Sequence, residues 1–182
     1  MNEVAVLLRA VAFSATKHRA QRRKDIDASP YINHPVEVAS ILANVAGVTD
    51  LSTLIAAILH DTIEDTGTKP IEIEDLFGRA VRLLVEEVTG DKTLPKVERK
   101  RLQVEHAPSL SVPAKLIKVA DKICNIHDVT RNPPEGWSSQ RRREYLDWAE
   151  RVVAGCRGLN DPLERRFDHV LAEGRKVLSK ET

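Results

Sequence analysis

The apolar run Leu54-Ile55-Ala56-Ala57-Ile58-Leu59 passes without a break into His60-Asp61-Thr62-Ile63-Glu64-Asp65. That junction limits the folds open to the chain. A run of this kind buries one face of a helix, so it carries an imidazole and three carboxylates to the edge of a core. Ionisable groups in such a place are rarely tolerated unless they are paired or bound to a metal. The junction therefore points to a divalent ion and to chemistry done with it. His34 and, far down the chain, Asp121 are of the type that would complete the shell.

Around this junction almost every stretch reads as helix. Val4, Leu7, Leu8, Val11, Ala12 and Ala15 recur at three- and four-residue spacing, which predicts a first amphipathic helix to about residue 20. Residues 22–33 are polar, hold Pro30 and read as a loop. Pro35 suits the first turn of a second helix, with Gly47 as its stop. Asp50 or Ser52 would cap a third helix ending near His60. Beyond a loop over 66–70, helices are expected over 72–77, 80–89, 96–106, 112–129, 138–157 and 162–180. Pro133, Pro134 and Gly136 mark the loop before the penultimate one. No alternating strand pattern, repeat or linker appears. The reading is an all-α fold, with residues 1–182 as a single domain.

At 182 residues such a domain buries roughly 70% of its surface. Aromatic residues make up only 4% of the chain, so Leu, Val, Ile and Ala must build the core. A formal charge of +1 gives no global pull on a nucleic-acid polymer. Cys124 and Cys156 are the only cysteines, too few for a disulfide scaffold or a thiolate zinc site, and they suit a reducing compartment. There is no cleavable leader pattern, and no uncharged apolar run nears the ~18 residues that span a bilayer. A cytoplasmic protein is expected.

Helical spacing sharpens the constellation. Asp121 and Asn125 are four apart in Lys115-Leu116-Ile117-Lys118-Val119-Ala120-Asp121-Lys122-Ile123-Cys124-Asn125 and share one face. His60 with Glu64, and Asp61 with Asp65, have the same spacing if the helix continues. Adjacent His60 and Asp61 diverge by ~100° on an ideal helix, yet both side chains can turn toward one ion. Two imidazoles and two carboxylates suit Mn²⁺ or Fe²⁺, with Co²⁺ and Zn²⁺ open as alternatives. Taken alone, each piece has an ordinary reading: His34 as a cap, Asp121 as a solvated partner of its neighbouring lysines. His18, His106, His127 and His169 read as surface or packing residues, and Trp137 and Trp148 as core or interface. At most one of Arg141, Arg142 and Arg143 is expected to turn inward.

Taken together, these residues resemble the HD superfamily of metal-dependent phosphohydrolases. The resemblance extends to Arg22-Arg23-Lys24, Tyr31-Ile32-Asn33-His34-Pro35, the stretch from Val88 to Lys96, Lys118 to Asn125, and Pro134-Glu135-Gly136-Trp137-Ser138. In that order they are similar to the hydrolase domain of RelA/SpoT proteins, especially its stand-alone metazoan and bacterial small-alarmone-hydrolase forms. The resemblance covers about residues 5–157. It implies a helical, Mn²⁺-dependent enzyme that removes the 3′-pyrophosphate of ppGpp or pppGpp. It also implies one ion on His34, His60, Asp61 and Asp121, with Glu64 and Asp65 orienting or deprotonating water. Arg23, Lys24 and Asn125 would hold the nucleotide. By weaker similarity Lys96, Arg141 and Tyr145 would reach its phosphates or base. The length leaves no room for the synthetase domain of the long family members.

Two other readings stand beside this one. The same cationic cleft could take NADPH and release its 2′-phosphate, or take another nucleotide. Alternatively the chain binds the alarmone without cleaving it, although a binder has no need of Glu64 and Asp65.

Overall fold

The computed structural model describes residues 2–181. Its helices are α1 (Glu3–Lys17), α2 (Asn33–Asn44), α3 (Leu51–Leu59), α4 (Thr62–Thr66), α5 (Pro70–Phe77), α6 (Arg79–Val88), α7 (Lys96–His106), α8 (Val112–Arg131), α9 (Ser139–Ala154) and α10 (Asp161–Ser179). Among the described residues there is no strand, only an isolated antiparallel bridge between Arg22 and Pro30. The expected all-α class holds.

Most helix starts follow local chemistry. Asp50 caps α3 by accepting from the Thr53 amide at 2.8 Å and its hydroxyl at 2.6 Å. Ser111, Ser138 and Asn160 cap α8, α9 and α10, and each leaves fewer orphan N–H groups at the helix start. Pro113 and Pro162 fall in the first turns of α8 and α10, where the missing donor costs nothing. One boundary differs from the sequence reading. The first helix stops at Lys17 rather than near residue 20, because His18 leaves helical angles at φ −90° and ψ 8° and the next amide, of Arg19, turns to the Thr16 carbonyl three residues back. The third helix ends near His60, as expected, and does not run through the ionisable string. His60 ends α3, and Asp61, at φ −98° and ψ −4°, opens the separate helix α4. A short 3₁₀ turn over Ala107–Ser109 was not legible.

α8 is the organising element, packing against α2, α3, α6, α9 and α10. Ala114, Ile117, Val119, Ala120, Ile123, Cys124, Ile126 and Val129 are all buried along it, so water reaches little of any face. A helix enclosed in this way must satisfy its polar residues internally. α3 supplies the facing wall, with Ile55 through Leu59 buried.

α10 closes the far side of α8 through a position with no room for a side chain. A Cβ at Gly174 would lie 2.8 Å from Thr130 Cγ2 and 3.2 Å from Leu146 Cδ2. Overpacking of this kind costs about 1–3 kcal/mol. Gly174→Val should therefore lower stability by about that amount, read as a fall in the denaturant midpoint. An unchanged midpoint would show that α10 can move away from α8.

Candidate active site

Five chain segments converge on one cavity of about 170 Å³, lined by His34, His60, Asp61, Glu64, Asp65, Asp121 and Asn125, with Tyr31, Val88, Gln103 and Lys118. His34 enters from the first turn of α2, His60 and Asp61 from the α3–α4 break, and Asp121 from the middle of α8. His34 Nε2 lies 3.2 Å from Asp121 Oδ1 and 3.7 Å from Asp61 Oδ2. His60 Nε2 lies 3.0 Å from Asp61 Oδ2 and 3.9 Å from Asp121 Oδ1. The α3–α4 break resolves the divergence expected of adjacent helical residues. It lets both side chains face the same point.

The donors fit a divalent ion. His60 Nδ1 is fixed by the Ala57 carbonyl at 2.7 Å, which turns Nε2 inward, and that buried Nε2 makes no hydrogen bond. Anchoring one ring nitrogen to present the other is how ligating histidines are held. One ligand atom each from His34, His60 and Asp121 lie within 4.8 Å of one another. Asp61 stands against both imidazoles and is steadied by the Tyr31 hydroxyl at 2.6 Å.

The electrostatics of the cavity's own side chains follow from that crowding. Burial alone would lower the His60 pKa, but the carboxylates of Asp61 and Asp121 overcome it and push it up to about 9. Burial would raise Asp121, yet Lys122 and the two imidazoles hold it well below the usual carboxylate range. Lys122 is only 4% exposed, donates to Asp121 Oδ2 at 2.7 Å, and lies over the Trp148 ring at 4.7 Å. The lysine beside Asp121, which in isolation reads as a solvated partner, is thus an internal counter-ion.

The carboxylates of α4 are positioned differently. Glu64 Oε2 accepts the Gly90 amide at 2.9 Å, and Oε1 has a 3.4 Å contact from Arg99. Asp65 is held through both oxygens, one by Gln21 at 2.9 Å and the other by Lys92. Gln21 is itself oriented by His18 at 2.8 Å, a buried ring stacked on Tyr31. His18 is therefore a packing residue, but one that sets the site.

Next to the central cavity opens a cleft of about 430 Å³ that shares Tyr31, Asp65 and Asn125 with it and adds Arg23, Lys24, Lys92, Trp137 and Tyr145. Arg23 pairs with Asp128, reaches Asn125 Oδ1 at 3.2 Å, and lies over the Tyr31 ring. Asn125 Nδ2 donates to Asp121, so this amide joins the metal-facing carboxylate to the cleft's arginine. Burial, with Asp121 and Asp128 nearby, pushes Tyr145 up to about 12. Lys96 and Arg141 do not line the central cavity. They border a neighbouring hollow of about 290 Å³ that shares Trp137 and Tyr145 with the cleft, Lys96 at 5.8 Å and Arg141 at 4.2 Å from the centre of the Trp137 ring. Of the three consecutive arginines the one turned inward is Arg142, paired with Glu181 and remote from the chemistry. Trp148 is core, donating to the Lys100 carbonyl at 3.0 Å, whereas Trp137 borders both cavities.

Residues 10–148 match the family model of the HD domain. The chain therefore belongs to the HD-domain family. Guanosine-3′,5′-bis(diphosphate) 3′-pyrophosphohydrolases of Xenopus tropicalis and of Homo sapiens are each 56% identical to it over 172 residues, spanning 94% of this chain and 96% of theirs. A solved structure, that of a metazoan orthologue of SpoT reported to hydrolyse ppGpp, superposes with a TM-score of 0.90 at 47% identity, covering 93% of this chain and 95% of that one.

The raised His60 pKa gives the chelated protein a signature. A group raised on folding adds stability that is whole below its unfolded value near 6.5 and is lost as pH climbs through about 9. Melting temperatures of chelator-treated protein should decline across that window, and a divalent cation should reverse the decline by replacing the proton. A flat profile from pH 6.5 to 9 would contradict the placement of His60 between two aspartates.

Proposed function

We propose that this chain, with residues 1–182 as one unit, is a manganese-dependent hydrolase. Its reaction converts guanosine 3′,5′-bis(diphosphate) and water into GDP and pyrophosphate, or the pentaphosphate into GTP and pyrophosphate. The observation that carries the reading is the buried pair of imidazoles and pair of aspartates beside a loosely held carboxylate, opening onto a cationic cleft. The names of relatives 56% identical across nearly the whole chain support the guanosine substrate. A mixed nitrogen and oxygen donor set without thiolate supports manganese. Both cysteines are free and buried and no helix among the described residues is long and apolar enough to cross a membrane, which supports a cytoplasmic site of action.

A divalent ion held by His34, His60, Asp61 and Asp121 would supply Lewis-acid chemistry, polarising a phosphoryl oxygen and easing deprotonation of water. The remaining work falls to the chain. Glu64 is the better base, because its Oε1 has only a long contact while both Asp65 oxygens are engaged. Asp65, tied to Gln21 and Lys92, orients. Arg23 offers a planar fork and Lys24 a compact charge to phosphate or base, and Asn125 places Arg23 relative to Asp121. Lys96 and Arg141 are suited to the second pyrophosphate, since their hollow adjoins the cleft at Trp137 and Tyr145.

Incubation of manganese-loaded protein with ppGpp, with products resolved as GDP and pyrophosphate, tests the assignment. Phosphate release from NADPH at a higher kcat/KM would favour the 2′-phosphatase reading, and tight binding without product over hours would favour an alarmone-binding module. Glu64→Gln should retain the ion and lose about 10²–10⁴-fold in kcat. His60→Ala should lose the ion itself, measured as metal content after gel filtration. If Glu64→Gln sheds its metal, the carboxylate is a ligand and not the base.

A further inference from the structure

Gln103 stands on α7, a helix with no fully buried residue, yet its amide oxygen is shielded from solvent and accepts no hydrogen bond. A buried carbonyl acceptor without a donor is uncommon and costly, and calls for an explanation. Core packing does not supply one. Gln103 lines the central cavity together with Val88, Lys118, Glu64 and the metal-facing residues, and it also borders the two hollows flanking α7. One helical turn earlier on the same face, Arg99 makes the contact to Glu64, so α7 presents both side chains to the wall where that carboxylate lies.

An attacking water has two protons, and a single carboxylate holds only one of them. Resting on the hydrolytic reading above, we propose that Gln103 is a further catalytic residue whose amide oxygen accepts the second proton in a hydrogen bond and so aims the nucleophile. In the step, the water oxygen bonds to the phosphorus attached to the ribose 3′-oxygen, and the bond between that phosphorus and the 3′-oxygen breaks. One water proton passes to Glu64. The other stays covalently on the new pyrophosphate oxygen throughout, hydrogen-bonded to Gln103 during attack. The proton held by Glu64 is returned to the departing 3′-oxygen, which becomes the hydroxyl while Glu64 is regenerated. Gln103 neither gains nor loses a proton; its part is orientation.

Steady-state kinetics of Gln103→Met and Gln103→Glu with manganese and ppGpp test this. Methionine keeps the volume and removes the acceptor, so kcat should fall at least tenfold with KM within about twofold and metal content and melting temperature unchanged. Glutamate keeps an acceptor oxygen and should hold a kcat above that of Gln103→Met. The inference is overturned if Gln103→Met keeps kcat within twofold, if its loss appears equally in KM or metal content, or if Gln103→Glu is no faster. Absence of turnover by the wild-type chain would instead overturn the substrate reading, and this inference with it.

Discussion

Asp121 sits in the middle of α8, the helix packed against five others, and its pairing with Lys122 is the interaction on which the rest turns. One carboxylate oxygen is neutralised by a lysine that has itself been taken out of water, and the other faces His34. Removing either member of such a pair leaves an uncompensated buried charge. The pairing also directs the carboxylate, because Lys122 and Asn125 fix it from two sides before any ion arrives. The packing of α8 against five neighbours thus fixes the position of one ligand, and α2 and α3, both packed on α8, bring His34 and His60 to it.

What α8 does for the ligands, two irregular segments do for the carboxylates of α4. The segment 21–31 is closed by the bridge between Arg22 and Pro30 and by Asp25 accepting from Ser29, and it delivers Gln21 to Asp65 and Tyr31 to Asp61. The loop between α6 and α7 delivers the Gly90 amide to Glu64 and Lys92 to Asp65. A Cβ at Gly90 would approach Glu64 Oε2 to 3.2 Å, closer than an unshifted carboxylate tolerates. Loops carry these contacts because a helix cannot aim a backbone amide sideways at a neighbour.

The junction at His60 was legible because an apolar run that ends in charged groups violates ordinary patterning, and such violations cluster at working sites. Helix existence was equally legible from periodicity, caps and proline positions. The end of α3 near His60 was legible as well, but the separate helix α4 was not, since the two residues between them keep backbone angles of the right-handed helical range. Gln21, Lys92, Arg99 and Gln103 went unread for a different reason. The first three meet their carboxylates across 44, 27 and 35 residues, and Gln103 is defined by an oxygen that meets nothing. Neither leaves a local trace. The buried state of Lys122 had a faint one: a lysine inside a helix whose other positions are mainly apolar.

Each of the two tryptophans lies against two cations, in different parts of the molecule. Trp148 lies against the ammonium of Lys122, the partner of the ion-facing aspartate, and against that of Lys100, while Trp137 meets the cations of Lys96 and Arg141 at the mouth of the cleft. An indole's emission follows the field of charges this close. The molecule therefore carries two built-in optical probes, one wired to its interior charge and one to its entrance.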